Sequence, residues 1–589
     1  MVTNSAIKAG SVRSPAPGLD IFKTPENPAF YSANLYQSLD KSKQEIRLIE
    51  LSTQTGDDDM LECKLLPATL LTDARNQYLA MSYCAGDPAD TNEIMVNGVR
   101  CNVFANLHYA LVLARHYWMR SSGQGPLRIW IDQLCINQHD LKERSHQVGF
   151  MRNIYQFAER TLACLSTSQT SGEGLKWFND LCDAVALQED DGPLRYDRKD
   201  ALGTAEWDYE SEEIPRESTR QSDTEDDRFE SLRCQWVFIR DYLWHNIHNE
   251  AFVNGWIAFY DILSSPWWNR AWVCQEFLVS RQVTFMFSKY FVSWEQHWSV
   301  MGAFCAIHNY DLINRKQFLE SQYCLEGSVQ DLQLCRILDI VNQRDLFPQV
   351  NHVGVALRMK INCTGSMDLK DLLLHSRSCK SSDDRDRVYA MLGLASPGYD
   401  IVPDYSEDLS AGEVMILTTR AIIEKEDSLE ILFRATRFVQ SGNLDVPSWV
   451  VDWSSTEASG VQFGRNMHVY RPSSTPHESP ERAFEVITNT KDKTRTHILW
   501  VYGTFITKIR LVGAVWPIAA FSSAQGWHGK SLNSIADGDE VWFLQGLREA
   551  IVLRSYLDGH QVISPALVMK GSSVYTEEGR AKRSRIKLY

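Results

Sequence analysis

Apolar and polar positions along the chain follow two periods, and the switches between them mark out its elements. Glu45-Ile-Arg-Leu-Ile-Glu-Leu51 alternates, as does Met60-Leu-Glu-Cys-Lys-Leu65, and Gly56-Asp-Asp-Asp59 between them predicts a β-hairpin. Tyr78-Leu-Ala-Met-Ser-Tyr83 predicts a short strand ending in the polar turn Gly86-Asp-Pro88. Leu107, Ala110, Leu111, Ala114 and Tyr117 recur at helical spacing behind Asn106, a candidate N-cap, and Ser121-Ser-Gly-Gln-Gly-Pro126 breaks that helix. Leu127-Arg-Ile-Trp-Ile-Asp-Gln-Leu-Cys-Ile136 is apolar almost throughout, as in a central strand covered on both faces. A helix carrying Val148, Met151, Ile154, Tyr155 and Ala158 follows, and then the strand Arg160-Thr-Leu-Ala-Cys-Leu165. Strands alternating with helices predict an α/β fold with a parallel sheet, in which Tyr78 to Tyr83 and Ile129 to Leu134 are adjacent parallel strands.

The pattern stops between about Leu187 and Leu232, where Glu189-Asp-Asp191, Glu210-Ser-Glu-Glu213 and Glu225-Asp-Asp227 predict a solvated acidic insertion. Helical spacing returns from Trp236 to Leu263 and again from Ser265-Pro-Trp-Trp to Glu276, followed by the strand Gln282-Val-Thr-Phe-Met-Phe287. Long helical patterns then run to about Glu430, and from about Phe484 the chain alternates as β structure, for example Ile498-Leu-Trp-Val-Tyr-Gly503. The expected organisation is a mobile leader over 1–44 and an α/β domain over 45–299 that carries the insertion. A mainly helical region over 300–480 and a β-rich module over 481–589 complete it.

Composition narrows the classes. At 589 residues and 44% hydrophobic, the chain has enough apolar material for more than one core. A formal net charge of -15 removes the general grip on phosphate backbones that clustered Lys and Arg provide, so nucleic acid is not expected as a partner. The 13 cysteines include no Cys-x-x-Cys pair, neither a zinc pattern nor a disulfide framework, and no metal site is expected. Without an apolar leader or a run of about 18 apolar residues, the expectation is a reduced, cytoplasmic protein with no membrane span.

Among candidate site residues, Ser265 can cap a helix with Pro266 in its first turn, which sets Trp268, Trp272 and Glu276 at four-residue steps on one face. Glu276 falls inside the apolar stripe, so its carboxylate either faces a cleft as a catalytic group or pairs with an Arg such as Arg270 or Arg281. Asp132 lies toward the carboxyl end of its strand, where open α/β sheets bind ligands. Asn137, Gln138 and Asp140 follow it, suited to ribose hydroxyls or phosphate, or to capping the helix near Leu141. Ser82, Tyr83, Gly86 and Asp87 form a strand-to-loop corner where Gly86 permits close backbone approach. Cys84, Cys135 and Cys274, with His139 and His146, are read as a Cys–His nucleophile or as buried thiols.

Four blocks carry a family resemblance: Tyr78-Leu-Ala-Met-Ser-Tyr-Cys-Ala-Gly-Asp87, Ile129-Trp-Ile-Asp-Gln-Leu-Cys-Ile-Asn-Gln-His-Asp140, Gln147-Val-Gly-Phe-Met-Arg-Asn-Ile-Tyr155 and Pro266-Trp-Trp-Asn-Arg-Ala-Trp-Val-Cys-Gln-Glu276. In order and spacing they resemble the fungal heterokaryon-incompatibility (HET) domain. Asp384-Arg-Asp-Arg-Val-Tyr-Ala-Met-Leu-Gly-Leu394 and Val446-Pro-Ser-Trp-Val-Val-Asp-Trp453 resemble the usual continuation of such proteins. The chain departs from the family at Ala85, where a Trp is usual, and at Cys164-Leu-Ser166, where Trp-Leu-Gly is usual. The resemblance implies an effector of fungal non-self recognition and cell death, with a domain distantly similar to Toll/interleukin-receptor domains, some of which hydrolyse NAD. By that analogy Glu276 is the catalytic carboxylate of an NAD glycohydrolase. Ser82, Tyr83, Gly86, Asp87, Asp132, Asn137, Gln138 and Trp272 hold the nucleotide, with NAD as substrate and no further cofactor required. Two alternatives stay open: a non-catalytic module that works by self-association or a protein partner, and a HET-fold enzyme recruited to another reaction, such as one of secondary metabolism.

Overall fold

The computed structural model describes residues 26–53, 60–121, 125–166, 172–190, 236–321, 329–363, 365–406, 408–435, 444–454, 481–488, 495–515, 518–532, 534–570 and 583–589. Most of the acidic insertion and the first part of the expected leader lie outside the described residues. Internal contacts divide the chain into two units, one of Thr24–Glu143 and Phe150–Thr364, the other of Met1–Lys23, Arg144–Gly149 and Gly365–Tyr589.

The first unit is built on a nine-stranded sheet. Its strands are β2 (Ile49–Leu51), β3 (Glu62–Leu65), β5 (Leu79–Ser82), β6 (Thr91–Val96), β7 (Val99–Phe104), β8 (Leu127–Trp130), β9 (Arg160–Cys164), β10 (Val283–Phe287) and β11 (Tyr290–Ser293), in the order β11-β10-β9-β5-β8-β2-β3-β6-β7. A separate small pair joins β1 (Glu45–Ile46) to β4 (Thr69–Leu70). The expected neighbours are present: β5 runs parallel to β8, with Leu79 opposite Ile129 and Ala80 opposite Trp130. Strands β9 and β10 extend this parallel centre. The sheet as a whole is mixed, however, because the predicted hairpin of β2 and β3 adds to it antiparallel to β8, and the hairpins β6-β7 and β10-β11 close its two ends. Every residue of β5 and β10 is buried, which accounts for their mainly apolar character; Ser82 and Thr284 are the polar exceptions.

Four local expectations are corrected. The apolar run 127–136 is not one strand: β8 ends at Trp130, and Asp132–Cys135 turns into a short helix in which Asp132 Oδ1 accepts from the Gln133 amide at 2.7 Å. Asn106 is not the N-cap of helix Ala105–Arg120; Phe104 holds that position, and the Asn106 side chain donates to the Cys84 carbonyl instead, at 3.0 Å. The segment from Ser265 to Glu276 is not one helix, so Trp268, Trp272 and Glu276 do not share a continuous helical face. Ser265 does cap a turn, accepting from the Trp267 amide, but this is a 3-10 helix, Pro266–Asn269, and the chain is extended at Arg270 before the helix Val273–Leu278 begins. Finally, residues from Glu26 onward are held to the sheet: Phe30 is 2% exposed, and Asn27 exchanges side-chain hydrogen bonds with the backbone of Asn102.

No helix among the described residues is long and apolar enough to cross a membrane. The second unit, taken by itself, contains helices Leu369–Arg377, Asp386–Leu392 and Ala411–Glu426 and a β module that is antiparallel except where its last strand meets Gly559–Lys570. In that module β12 (Arg482–Thr488), β13 (Arg495–Lys508), β14 (Leu511–Val515), β15 (Ile518–Ser522), β16 (Trp527–Leu532), β17 (Glu540–Leu544), β18 (Ala550–Tyr556) and β19 (Gly559–Lys570) lie in the order β12-β13-β17-β18-β19-β16-β15-β14, and β20 (Arg583–Leu588) pairs with both β13 and β19 to make a ring of β13, β17, β18, β19 and β20. The Asp384-Arg-Asp-Arg387 motif is a buried polar knot: Arg385 pairs with Asp383 at 2.9 Å and donates to the carbonyls of Ser406 and Leu409, while the Tyr405 hydroxyl donates to Asp386.

Candidate functional site

The carboxyl ends of β5 and β8 are where three sequence blocks converge on Glu276. Ser82 is the last residue of β5, buried, and its hydroxyl donates to Glu276 Oε2. The indole Nε1 of Trp267 donates to the Ser82 oxygen at 2.7 Å, which leaves the hydroxyl proton directed at the carboxylate. Arg270 Nη1 lies 3.5 Å from Glu276 Oε2 and also donates to the carbonyl of Tyr83. The extended backbone at Arg270, which interrupts the expected helix, lets one guanidinium reach both acceptors. Tyr83 in turn is hydrogen-bonded to the Asp132 side chain, and Tyr155, from the third block, donates to the Met81 carbonyl at 3.0 Å.

Burial sets the electrostatics of this cluster. Glu276 is 1% exposed, and loss of water raises its pKa above the usual carboxylate value; Arg270 and the Ser82 hydrogen bond oppose that rise, and the Asp132 charge adds to it. Burial works against the charge on Arg270, but Glu276, Cys84 and Asp132 together carry its pKa upward, so it stays a cation. The phenols of Tyr83 and Tyr155 are raised well above their ordinary range, first by burial, so both remain neutral donors.

The remaining expected site residues divide. Gln138 joins the cluster indirectly, donating to the Asp132 carbonyl at 2.7 Å. Asn137 is turned inward by its backbone, whose amide donates to Glu143, and its side chain accepts from the His139 amide. Asp140 caps the helix at Leu141 through the amides of Lys142 and Glu143, the capping role expected as one of its two readings. Gly86 and Asp87 lie on the exposed turn beyond Tyr83, Asp87 closing it through the Ala89 amide, and Trp272 packs partly buried against the hydrophobic core. Cys135 is buried with its thiol pushed up to about 12, the state of an inert core thiol and not of a nucleophile.

Gly86 has φ +86, and a Cβ there would meet Asn106 Nδ2 at 2.6 Å. Gly86→Ala is therefore expected to cost about 1–2 kcal/mol through left-handed strain and the displaced Asn106 bond. Thermal unfolding checks this; an unchanged midpoint would mean the turn is not conformationally bound.

Sequence reasoning did not anticipate Lys360, on the helix Leu346–Asn362. Its ammonium donates to the carbonyls of Phe277 and Leu278, at 2.7 and 3.2 Å, and of Ser280, capping the carboxyl end of the helix that carries Glu276. The Ser280 hydroxyl donates back to the Glu276 carbonyl at 2.6 Å. No local spacing in the sequence joins residues 360 and 280, so only the fold could reveal this link. Burial lowers the Lys360 pKa to about 8 from 10.5. Lys360→Met should cost about 1–3 kcal/mol by leaving these carbonyls without their donor. The unfolded chain binds the proton more tightly between pH 8 and 10.5, so wild-type stability should gain on the Met variant as pH rises through that window. Urea midpoints at pH 7 and 10 measure the gap; a gap that does not widen would show that burial does not depress this amine.

Residues 78–276 match the family described as "Heterokaryon incompatibility protein (HET)", a segment that begins at Tyr78 and ends on Glu276 itself. Over 443 residues, 71% of its length, the chain is 26% identical to "Heterokaryon incompatibility protein 6, OR allele" of Neurospora crassa. The alignment spans 59% of that relative. No solved structure matches. The chain carries a fungal heterokaryon-incompatibility (HET) domain.

Proposed function

We propose that the chain is an effector of fungal non-self recognition whose HET domain binds a nucleotide at the ends of β5 and β8 and cleaves the nicotinamide–ribose bond of NAD, with Glu276 as the catalytic carboxylate. The name of the Neurospora relative supports the biological half of this reading. The chemical half rests on one observation: a carboxyl group enclosed at the carboxyl ends of parallel strands, its pKa raised by burial, next to a second acid, Asp132. The analogy to Toll/interleukin-receptor domains comes from the family resemblance alone and is an argument at the level of fold only.

The chemistry asks little of the protein. Nicotinamide departs with the bonding electron pair, the ribose carbon becomes oxocarbenium-like, and water completes the hydrolysis. A carboxylate in low-dielectric surroundings stabilises that developing cation far more than one in water. Ser82, oriented by Trp267, positions Glu276, and Lys360 fixes the end of its helix. A second reading, a non-catalytic module acting by self-association, is favoured by one fact: Glu276 is 1% exposed and already engaged by Ser82 and Arg270. Incubating purified protein with NAD and measuring free nicotinamide separates the two.

A further inference from the structure

Around Glu276 the charges do not balance. Two carboxylates, Glu276 and Asp132, and the Cys84 thiol act on one cation among the described residues, Arg270, and the hydroxyls of Ser82, Tyr83 and Tyr155 beside them carry no charge. The guanidinium is the outer member of its pair: its side chain is 21% exposed, whereas that of Glu276 is 2%. It is held by one carboxylate contact at 3.5 Å and by a backbone carbonyl, and not in the two-pronged geometry that fixes an Arg firmly. The residue also sits at an extended point between two short helices, where a change of side-chain rotamer breaks no helical hydrogen bond.

We propose that Glu276, Asp132 and the Tyr83 carbonyl form a seat for a compact planar cation, that Arg270 fills it in the resting protein, and that a cationic ligand enters by displacing that side chain. The proposal rests on the reading of the strand ends as a ligand site and names its ligand class: a planar cation, such as an oxidised pyridinium ring, and not the anionic part of a nucleotide. Removal of Arg270 takes away the cation on which Glu276 and Asp132 both act, which favours entry of an external cation. Arg270 is in this sense an internal competitor of the substrate.

The test uses Arg270→Ala in the full chain with guanidinium chloride, in the low millimolar range where it does not denature. Thermal stability of the variant should be restored saturably by guanidinium and not by equal sodium chloride, and the effect should vanish when Glu276→Gln is added. Wild type should not respond. In parallel, the variant should release nicotinamide from NAD at least about tenfold faster than wild type, with guanidinium suppressing the gain. Absence of saturable stabilisation overturns the seat. Stabilisation with slower cleavage than wild type overturns displacement by the ligand and makes Arg270 a positioning residue. Stabilisation with no cleavage by either protein leaves the seat standing and removes the NAD reading instead. If the Ala variant does not fold, Arg270→Gln, which keeps a neutral donor on the side chain, carries the same comparison.

Discussion

Glu276→Gln is expected to lower nicotinamide release at least about a hundredfold while the protein stays folded. A hundredfold corresponds to about 2.7 kcal/mol of lost transition-state stabilisation, the scale on which a preorganised electrostatic group acts. Gln keeps the size of the side chain and can still accept the Ser82 proton, so the loss is one of charge and not of packing. A second signature is independent of activity. Because the folded pKa of Glu276 is raised above 4.5, the folded protein holds this proton more tightly than the unfolded chain. Its contribution to stability is therefore present at low pH and is lost as pH rises from about 4.5 toward the raised value. The Gln variant lacks that dependence, so its unfolding midpoint should gain on wild type as pH rises from 4 toward neutrality. A constant difference across that range would mean that Glu276 titrates as an ordinary surface acid.

The largest loss of stability is expected at Arg47. It lies between β1 and β2, is 2% exposed, and meets Glu143 with two prongs, at 2.7 and 3.0 Å. The same guanidinium donates to the carbonyls of Gln37 and Cys135, and Glu143 Oε1 accepts from the Asn137 amide. One ion pair thus ties the N-terminal segment to the loop that follows Asp132. Arg47→Met strands a buried carboxylate and should cost about 3–5 kcal/mol. The double replacement Arg47→Met, Glu143→Gln removes both charges and should recover part of the loss. Urea denaturation of the two variants checks this; equal losses in both would mean that packing, and not the orphaned charge, sets the cost.

Strands β5 and β8 are legible because central strands are mainly apolar on both faces, with Arg128 the exposed exception in β8, a pattern that needs no partner information. The mixed character of the sheet is not, since strand direction depends on long-range pairing that alternation does not encode. The early end of β8 and the break at Arg270 share a cause. Asp-Gln-Leu-Cys and Trp-Trp-Asn-Arg contain no Pro or Gly to announce a change of backbone, and the bonds that accompany it, the local one from Gln138 to the Asp132 carbonyl and the long-range one from Arg270 to the Tyr83 carbonyl, leave no mark in the spacing. Of the expected site residues, Ser82, Tyr83, Asp132 and Glu276 do converge. The sequence offers Arg270 only as one of two partners, with Arg281, that would make Glu276 structural, and the structure places its guanidinium 3.5 Å from Glu276. Trp267 and Tyr155 lay inside the motif blocks but carried no sign of their roles, because an aromatic in a buried run is ordinarily core.

The measurement that bears most directly on the central claim is release of nicotinamide from NAD by wild type, Glu276→Gln and Arg270→Ala, each first shown to be folded. The account predicts release by wild type, faster release by Arg270→Ala, and a fall of at least about a hundredfold in Glu276→Gln. Equal release by wild type and Glu276→Gln, or none from any of the three folded proteins, would contradict it.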